Sequence, residues 1–324
     1  MKVYDVYLHG LSDYVRVCGD ALRALLHACP REEEGFVMPS VVVTGVSSGI
    51  GWGTAKVLIQ HGFQVFGSVR KSEDADRLSA AWGEAFTPLL FDITDEQTVR
   101  QAAAQVADRL QGHTLSGLVN NAGIAVPAPL IYQPIDEYRQ QLEVNLVGPL
   151  IVTQAFVDLL GADHRRSGRP GRIINISSIG GKLAGPFLGA YHVSKFGMEG
   201  FSDSLRIELL VHGIDVIVIG PGAVATAIWD KAEQVDTSAY RDTEYAQAVE
   251  AYRTYMIEGG RRGYPPERLG EIVWQALTTP HPPARYGYAV VPRPFFNWII
   301  PRLLPKRRVG AVVANQLGLK RPER

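Results

Sequence analysis

The sequence predicts an α/β fold in which helices cover both faces of a single parallel sheet of about seven strands. Three observations lead to this prediction. Short apolar runs rich in β-branched residues alternate with amphipathic stretches of helical length, the runs are apolar on both faces, and a glycine-rich turn follows the first run. Strands buried on both sides and joined by helices belong in a covered parallel sheet. The predicted architecture is therefore doubly wound and Rossmann-like.

The predicted strands occupy the region from residue 41 to residue 291 and are Val41–Thr44, Gln64–Val69, Thr87–Phe91, Gly117–Val119, Arg172–Ile176, Ile214–Ile219 and Tyr286–Val291. Between them, amphipathic periodicity predicts helices, the clearest at Asp95–Leu110, Asp136–Leu160 and Ser194–His212. Two end segments lie outside this pattern. We predict a loosely attached or disordered extension at 1–37, a catalytic domain at 38–291 and a C-terminal tail at 292–324 that mixes basic and apolar residues.

The composition of the 324-residue chain excludes several functional classes. Its 33 Lys and Arg residues balance its 33 Asp and Glu residues, so it lacks the basic surplus of a nucleic-acid-binding protein. Cys18 and Cys29 are the only cysteines and the eight histidines are scattered, which argues against a disulfide scaffold and a zinc site. No apolar run reaches the roughly 18 residues of a membrane-spanning helix. We expect a cytoplasmic protein without a bound metal.

The turn after the first strand is a candidate phosphate-binding site with the sequence Thr44-Gly45-Val46-Ser47-Ser48-Gly49-Ile50-Gly51. Glycine at positions 45 and 49 lets the backbone turn tightly and approach a pyrophosphate, and Gly51 permits close packing of the following helix. Glycine-rich turns also occur for purely steric reasons. Its position between a first parallel strand and a helix favours the functional interpretation.

The end of the second predicted strand discriminates between NAD and NADP. An acidic residue there would accept hydrogen bonds from a ribose 2′-hydroxyl, whereas cations would pair with a 2′-phosphate. Val69 is followed by Arg70 and Lys71, with no acid. We therefore predict NADP in preference to NAD, and a solvated basic loop is the alternative interpretation.

Ser178, Tyr191 and Lys195 are the strongest candidates for catalysis. Tyr191 and Lys195 are four residues apart and share one helix face, where an ammonium group is expected to lower the pKa of a phenol. A tyrosine tuned in this way can exchange a proton near neutral pH. Ser178 follows the fifth strand, and its hydroxyl can bind the oxygen whose charge changes. A Tyr-x-x-x-Lys pair alone also arises by chance on solvated helices.

In combination, these motifs resemble the short-chain dehydrogenase/reductases, in particular the subgroup with a Thr-Gly-x-x-x-Gly-x-Gly turn, over about residues 39–291. The match adds Asp92, Asn120–Gly123, Asn145 and, after the sixth strand, Pro221-Gly222 with Thr226. Gly220 departs from the family pattern, since relatives often carry Asn or Glu at this position. Taken singly, each of the aspartate and asparagine residues would more often be a turn or cap residue.

The resemblance implies a role for each matched residue. Tyr191 would be the general acid and base, Lys195 would bind the nicotinamide ribose and depress the tyrosine pKa, and Ser178 would hold the substrate oxygen. Asn145 would keep a water in place for proton relay. The residues implied in cofactor binding are Thr44, Gly45, Ser47, Ser48, Gly49, Ile50, Gly51, Arg70, Asp92, Asn120, Ala122, Gly123, Tyr191, Lys195, Pro221, Gly222, Val224 and Thr226.

The segments 195–208 and 222–229 are similar to the branch that contains retinol dehydrogenases and 17β-hydroxysteroid dehydrogenases. This similarity implies a lipophilic alcohol or ketone as substrate. We expect the substrate site mainly within residues 222–265, beside the loop that carries Leu183, Pro186 and Phe187. The apolar and aromatic candidates there are Ala223, Ala227, Ile228, Trp229, Tyr240, Tyr245, Tyr252 and Tyr255.

The predicted function is hydride transfer between NADP(H) and a carbonyl or secondary alcohol of a lipophilic small molecule, with Tyr191 as general acid/base. One alternative is a catalytically idle Rossmann protein that senses the cofactor; such relatives usually lose the tyrosine or the lysine. Another is a sugar-nucleotide epimerase or dehydratase, which resembles a subgroup with a different glycine spacing.

The resemblance also implies a homodimer or homotetramer that associates through helices 136–160 and 194–212. The sequence offers no nucleic-acid partner and no transmembrane segment. The tail from Phe295 to Arg308 combines apolar residues with cations, as at a membrane surface. Because Pro301 and Pro305 interrupt any continuous helix, we expect the tail instead to cover the substrate cleft or a subunit interface.

Overall fold

The structure is a computed structural model that describes residues 38–287, 291, 295 and 299–319. The predicted extension at 1–37 lies outside the described residues, as do parts of the predicted seventh strand and of the tail. Within the described part of the chain, no helix is long and apolar enough to cross a membrane.

Seven parallel strands form one sheet in the order β3-β2-β1-β4-β5-β6-β7, which confirms the predicted fold class. The strands are β1 (Ser40–Val43), β2 (Gln64–Val69), β3 (Phe86–Leu90), β4 (Gly117–Asn120), β5 (Arg172–Ile176), β6 (Asp215–Ile219) and β7 (Arg285–Tyr286). Their β-branched and aliphatic residues favour extended backbone and pack well on a pleated surface.

The helices are α1 (Gly49–Gln60), α2 (Ser72–Trp82), α3 (Glu96–Leu110), α4 (Ile135–Leu142), α5 (Gly148–Phe156), α6 (Gly189–Glu208), α7 (Ile228–Glu233), α8 (Ala246–Arg261), α9 (Pro266–Thr278), α10 (Ile300–Leu303) and α11 (Lys306–Gln316). Helix α3 begins where the sequence predicts it. The Asp95 carboxylate caps its start by accepting hydrogen bonds from the backbone nitrogens of Gln97, at 3.0 Å, and Thr98, at 3.1 Å.

Helices pack on both faces of the sheet because successive strand residues point to opposite sides. Val41 and Val43 belong to a buried cluster with residues of α1 and α9, whereas Val42 belongs to a second cluster with residues of α3 and α5. The strands are therefore buried on both sides, as the continuous apolar runs of the sequence indicate.

The predicted helix Asp136–Leu160 is helical in the structure but contains a π-helical turn that the prediction lacks. The structure divides it into α4, a π-helical turn at Glu143–Val147, and α5. The turn contains Asn145, whose side-chain amide accepts from the backbone nitrogen of Ile124 and donates to its carbonyl oxygen, both at 2.9 Å. The widened turn brings this buried amide to the chain segment that follows β4.

The sheet places the candidate site through its topology. From β1 the chain builds outward to β3 and then returns to β4 on the other side of β1. The connections after β1 and β4 consequently leave the sheet in opposite directions and open a crevice between them. In doubly wound sheets, ligands bind at such a switch point, outside the carboxyl ends of the strands.

Candidate active site

The glycine-rich turn after β1 has the backbone geometry that the sequence predicts. Gly45 has φ +70° and Gly49 has φ +63°, backbone conformations that residues with a side chain rarely adopt. A Cβ atom at Gly51 would overlap with the carbonyl oxygen of Gly45, so α1 starts directly against the turn. The space for a side chain is therefore absent where the first helical turn meets the strand end.

The start of α1 is suited to an anion. Its N-cap residue, Ser48, makes no side-chain capping hydrogen bond, so the first backbone N–H groups keep their hydrogen-bonding capacity. These N–H groups and the helix dipole together favour a phosphate. With Gly45, Gly49 and Gly51 allowing close backbone approach, the turn fits the pyrophosphate of a dinucleotide.

Thr44 fastens the ends of the two strands that flank the crevice. Its buried hydroxyl donates to the carbonyl oxygen of Val119 at 3.3 Å and accepts from the backbone nitrogens of Asn121 and Ala122, at 2.9 and 3.0 Å. The segment after β4 is thus held against the glycine-rich turn.

Asn120 does not direct its side chain to the crevice, as a cofactor-binding role would require of it. Its amide nitrogen donates to Asn175 Oδ1 at 2.9 Å and to the Thr153 hydroxyl at 3.2 Å, inside the protein. The next residue, Asn121, reaches the turn instead and donates to the carbonyl oxygen of Thr44 at 2.8 Å. Alternation along β4 is the sequence signal that separates the two asparagines.

Arg70 lies at the carboxyl end of β2 with a largely exposed side chain, 74% accessible, and its guanidinium is 3.7 Å from the Asp92 carboxylate. Burial opposes the charge on Asp92, but hydrogen bonds from Thr94 and the charge of Arg70 lower the Asp92 pKa below its ordinary value. Sequence reasoning missed Arg77, whose guanidinium donates to the carbonyl oxygen of Ser47 at 2.9 Å. A second cation thus lies beside the turn.

Tyr191, Lys195 and Ser178 come together. Helix α6 begins at Gly189, five residues before the predicted start, so Tyr191 lies in its first turn. Lys195 Nζ is 5.8 Å from the centroid of the Tyr191 ring and donates to the carbonyl oxygen of Ile176 at 2.9 Å. Ser178 lies beside Tyr191, since a Cβ built on Gly180 would be 3.2 Å from both Ser178 Oγ and Tyr191 Cε1, and Ser178 Oγ accepts from the backbone nitrogen of Gly180 at 2.9 Å.

The predicted lowering of the Tyr191 pKa is wrong. Burial raises the pKa of the phenol above its ordinary value and outweighs the hydrogen bond from Ser178, which acts in the opposite direction. Burial also lowers the pKa of Lys195 to about 8, while the charge of Glu199 acts against this decrease. Desolvation therefore favours the neutral forms of both groups.

Asn145 connects the helical face of the site to the segment after β4. Its amide nitrogen donates to the Ser194 hydroxyl at 3.0 Å, and this hydroxyl donates to the carbonyl oxygen of Tyr191 at 2.7 Å. A Cβ built on Gly123 would be 3.1 Å from Asn145 Oδ1 and 3.9 Å from Lys195 Nζ. Asn145, Gly123 and Lys195 are therefore immediate neighbours.

The segment after β6 borders both halves of the site. The carbonyl oxygen of Pro221 accepts from the backbone nitrogen of Ile179 at 2.9 Å, next to Ser178. A Cβ on Gly49 would be 3.6 Å from the side chain of Thr226. Between them, Gly222 is half-buried and Val224 is buried. The predicted residues 221–226 thus lie between the catalytic candidates and the glycine-rich turn.

An aromatic cluster lies beside Tyr191. Phe187, with φ +62°, is buried, and its ring centroid is 5.9 Å from that of Tyr245 and 5.6 Å from that of Tyr252, both edge-on. The other members come from α8, from the turn before it and from the C-terminal helix, and are Tyr240, Ala248, Val249, Val313, Leu317 and Leu319. We call this set the Phe187 cluster.

Other predicted substrate contacts lie elsewhere. Ile228 and Tyr255 are exposed, and Ala227 is exposed as well. The Trp229 ring packs on Gly260, which joins α7 to α8. The ring Nε1 donates to the carbonyl oxygen of Val224 at 2.7 Å. Among the described residues, no cluster of three or more His, Cys, Asp or Glu side chains could hold a metal ion.

Comparison with known proteins identifies the family of this chain. The family model for short chain dehydrogenase matches residues 39–236. The NADPH-dependent 3-dehydrocapnine reductase of Ornithobacterium rhinotracheale is 37% identical over 280 residues, which cover 86% of this chain and 98% of that protein. Human retinol dehydrogenase 5 is 34% identical over 285 residues, which cover 84% of this chain and 87% of that protein. The predicted similarity to the retinol dehydrogenase branch is confirmed.

The solved structures agree on the fold. A short-chain dehydrogenase from Streptomyces avermitilis superposes with a TM-score of 0.69 at 24% identity, covering 88% of this chain and 98% of that one. At this identity the likeness concerns the fold alone. The family match and the two relatives carry the assignment further: the chain belongs to the short-chain dehydrogenase family, as an NAD(P)-dependent dehydrogenase or reductase.

Proposed function

We propose that this chain reduces a carbonyl group of a lipophilic small molecule with NADPH, and that Tyr191 donates the proton. The observation that carries the proposal is the placement of the buried Tyr191 phenol beside Ser178, both next to Gly180, and one helical turn from the buried Lys195 side chain. The contact lies beside the crevice where the glycine-rich turn and residues 221–226 meet. Such a group can bind a carbonyl oxygen and protonate it.

The residues of the crevice fit a dinucleotide. The open N-terminus of α1 and the glycine-rich turn would hold the pyrophosphate, Arg70 would meet a 2′-phosphate, and Lys195 would meet the nicotinamide ribose. When bound, the nicotinamide supplies the hydride. The NADPH dependence of the Ornithobacterium rhinotracheale relative supports the choice of NADP over NAD.

The protonation states favour reduction. Because burial raises the Tyr191 pKa, the phenol carries its proton at neutral pH and can act as a general acid. Ser178 would orient the substrate oxygen toward that proton. Lys195, with a pKa of about 8, is protonated over much of the same range and can restore the proton through the Asn145 side of the site.

The Phe187 cluster supports a lipophilic substrate. Phe187 lies four residues before Tyr191, and two tyrosines of the cluster, Tyr245 and Tyr252, pack edge-on against its ring. Apolar and aromatic walls with few polar groups are typical of sites for apolar ligands. We propose that the apolar part of the substrate lies against this cluster.

A cofactor-oxidation screen tests the function. The purified chain is mixed with NADPH and a panel of ketones of increasing chain length, matched with short anionic keto acids. We expect turnover with the lipophilic ketones and kcat/KM that rises with chain length, because each buried methylene contributes about 0.8 kcal/mol. A preference for the keto acids would contradict the proposed substrate class.

The first prediction concerns cofactor choice. Arg70→Ala should raise the KM for NADPH roughly tenfold and leave that for NADH nearly unchanged, because only the 2′-phosphate would lose its charge-assisted partner. Steady-state kinetics with each cofactor measure the effect. Arg100→Ala is the matched control, since this exposed arginine of α3 pairs with Glu96 of its own helix. Equal use of both cofactors by the parent would show that Arg70 is merely solvated.

The second prediction concerns assembly. We propose a cytoplasmic homo-oligomer that associates through α5 and α6, because Leu150, Val193 and Phe196 are each at least 39% exposed on these helices. An exposed apolar face of this kind is typical of a protein interface. Phe196→Glu should shift the mass measured by light scattering toward the monomer. Val312→Glu, an exposed control on α11, should leave the mass unchanged.

The third prediction concerns the tail. Val313 and Leu317 of the tail belong to the Phe187 cluster, which supports the tail as a cover for the substrate cleft. Removal of residues 295–324 should lower kcat/KM for lipophilic ketones at least about tenfold, and the double variant Val313→Asp/Leu317→Asp should do the same. Leu303→Asp is the control, because Leu303 is 79% exposed. Salt-sensitive co-sedimentation with anionic vesicles that depends on the tail would instead favour a membrane-contacting role.

A further inference from the structure

We propose that Glu199 is a positioning residue that acts on Tyr191 through Lys195, as the carboxylate of a buried charge cluster formed with Arg285 and Lys182. We call these three side chains the Glu199 cluster. The inference rests on the proposed function, in which the Tyr191–Lys195 pair carries the proton. The cluster places a buried carboxylate and two cations one helical turn beyond Lys195. Its three residues come from three separate chain segments.

The Glu199 cluster is a buried ion pair of Glu199 and Arg285 with Lys182 as a second cation. Glu199 lies one helical turn after Lys195 on α6, and its side chain is only 5% exposed. Arg285 grips it with two parallel hydrogen bonds, Nε to Oε2 at 2.9 Å and Nη2 to Oε1 at 3.0 Å. Lys182 Nζ is 3.2 Å from Oε2. Bidentate geometry of this kind fixes both partners.

The cluster joins the elements that bear the site. Arg285 comes from β7, at the edge of the sheet, and Lys182 follows the turn Ile179–Gly181 directly after Ser178. Glu199 itself belongs to the helix that carries Tyr191 and Lys195. The cluster therefore connects the helix that carries Tyr191 and Lys195 both to the loop after Ser178 and to the edge strand.

The same cluster occupies the space beside Gly220. A Cβ atom built on Gly220, directly after β6, would collide with the guanidinium of Arg285. A side chain at position 220 would therefore require the Arg285 guanidinium to move. Because Gly220 has no side chain, the Arg285 guanidinium can lie next to it and reach Glu199.

The cluster also sets the charge beneath the Tyr191–Lys195 pair. Burial alone would raise the pKa of Glu199, but the hydrogen bonds and charge of Arg285, with Lys182, lower it, so the carboxylate is ionised. Its charge favours the protonated form of Lys195. The titratable groups that face the pair are His192 and Glu199 on α6 and Tyr252 from α8, and the charged groups that contact Glu199 itself are Lys182 from the loop and Arg285 from β7.

If Glu199 acts through its charge, replacing Glu199 and replacing Arg285 should shift the apparent pKa values of the Tyr191–Lys195 pair in opposite directions. Glu199→Gln leaves two cations unbalanced, and their positive potential lowers the apparent pKa values of the coupled Tyr191–Lys195 pair. Arg285→Met removes a cation and raises those values. At the separations of neighbouring helical turns, we expect each shift to be roughly one pH unit.

The experiment measures the phenolate absorbance of the cofactor-free protein against pH, with the titration of Tyr191→Phe subtracted, and in parallel the pH profile of kcat/KM. Glu199→Gln should move both transitions to lower pH, and Arg285→Met should move both to higher pH. Lys182→Met, a change at a half-buried loop residue, should act like Arg285→Met and keeps the test available if either core variant fails to fold. Lys56→Met, which removes the ion pair between α1 and Glu267, should shift neither transition.

Shifts in the same direction, or unshifted transitions in folded variants, would overturn the inference and leave Glu199 as a purely structural anchor. Failure of the proposed function has a different signature. In that case Tyr191→Phe would retain activity, whatever the two charge variants do to the phenolate titration.

Discussion

Replacing Tyr191 with Phe should lower kcat for ketone reduction at least about 100-fold, because the change keeps the ring and removes only the hydroxyl that donates the proton. NADPH affinity should stay within a factor of a few, since the glycine-rich turn and Lys195 are untouched. Stopped-flow turnover and fluorescence titration of NADPH measure the two quantities. Tyr255→Phe, at a tyrosine that is 70% exposed, is the matched control and should behave like the parent.

The pH dependence of the parent enzyme gives an independent check of the same assignment. In the proposed mechanism, reduction would consume the proton of Tyr191 and Lys195 would restore it, so the protonated forms would be the active ones. Because the pKa of Lys195 is about 8, the rate of reduction should be flat below this pH and fall above it. Activity of the Phe variant within a few-fold of the parent would remove Tyr191 from the mechanism.

The sequence predicts the sheet well because its signals are local. Each buried parallel strand is a continuous apolar run, and the observed strands begin within one residue of the predicted positions from β1 to β6. The glycine-rich turn is equally readable, since Gly45 and Gly49 have the positive φ angles that only glycine adopts freely.

The sequence is less informative where a side chain's role depends on tertiary packing. Helical periodicity continues through Asn145, so it cannot reveal that this amide opens a π-helical turn to reach Ile124. The spacing of Tyr191 and Lys195 predicts their proximity but not the burial that raises the tyrosine pKa.

Gly220 is a second position whose role depends on a contact that is distant in sequence. In the sequence it is an unexplained departure from a family pattern, because Arg285 lies 65 positions later and nothing local links the two. Only the parallel pairing of β6 with β7, which sets Ile219 opposite Tyr286, brings that arginine across the glycine. The contact between Arg285 and Gly220 is therefore visible only in the structure.

The glycine-rich turn gives the other large expected effect. Gly51→Ala should weaken NADPH binding at least about tenfold and lower the free energy of unfolding by roughly 1–3 kcal/mol. The added methyl group would meet the carbonyl oxygen of Gly45 and the side-chain nitrogen of Asn121. Neither can move freely, because Asn121 is held by the carbonyl oxygen of Thr44 at 2.8 Å. The turn would have to shift, and with it the N–H groups that face the pyrophosphate.

Fluorescence titration of NADPH and thermal unfolding followed by circular dichroism measure the consequences of Gly51→Ala. Gly259→Ala on α8 is the control for the same chemical change, because nothing lies within 4 Å of its added Cβ and its φ angle is not positive. In a helix interior this control should stabilise the protein by about 0.5–1 kcal/mol and leave NADPH affinity unchanged. Parent-like NADPH affinity in Gly51→Ala would mean that the cofactor does not approach the start of α1, and the crevice would lose its assignment.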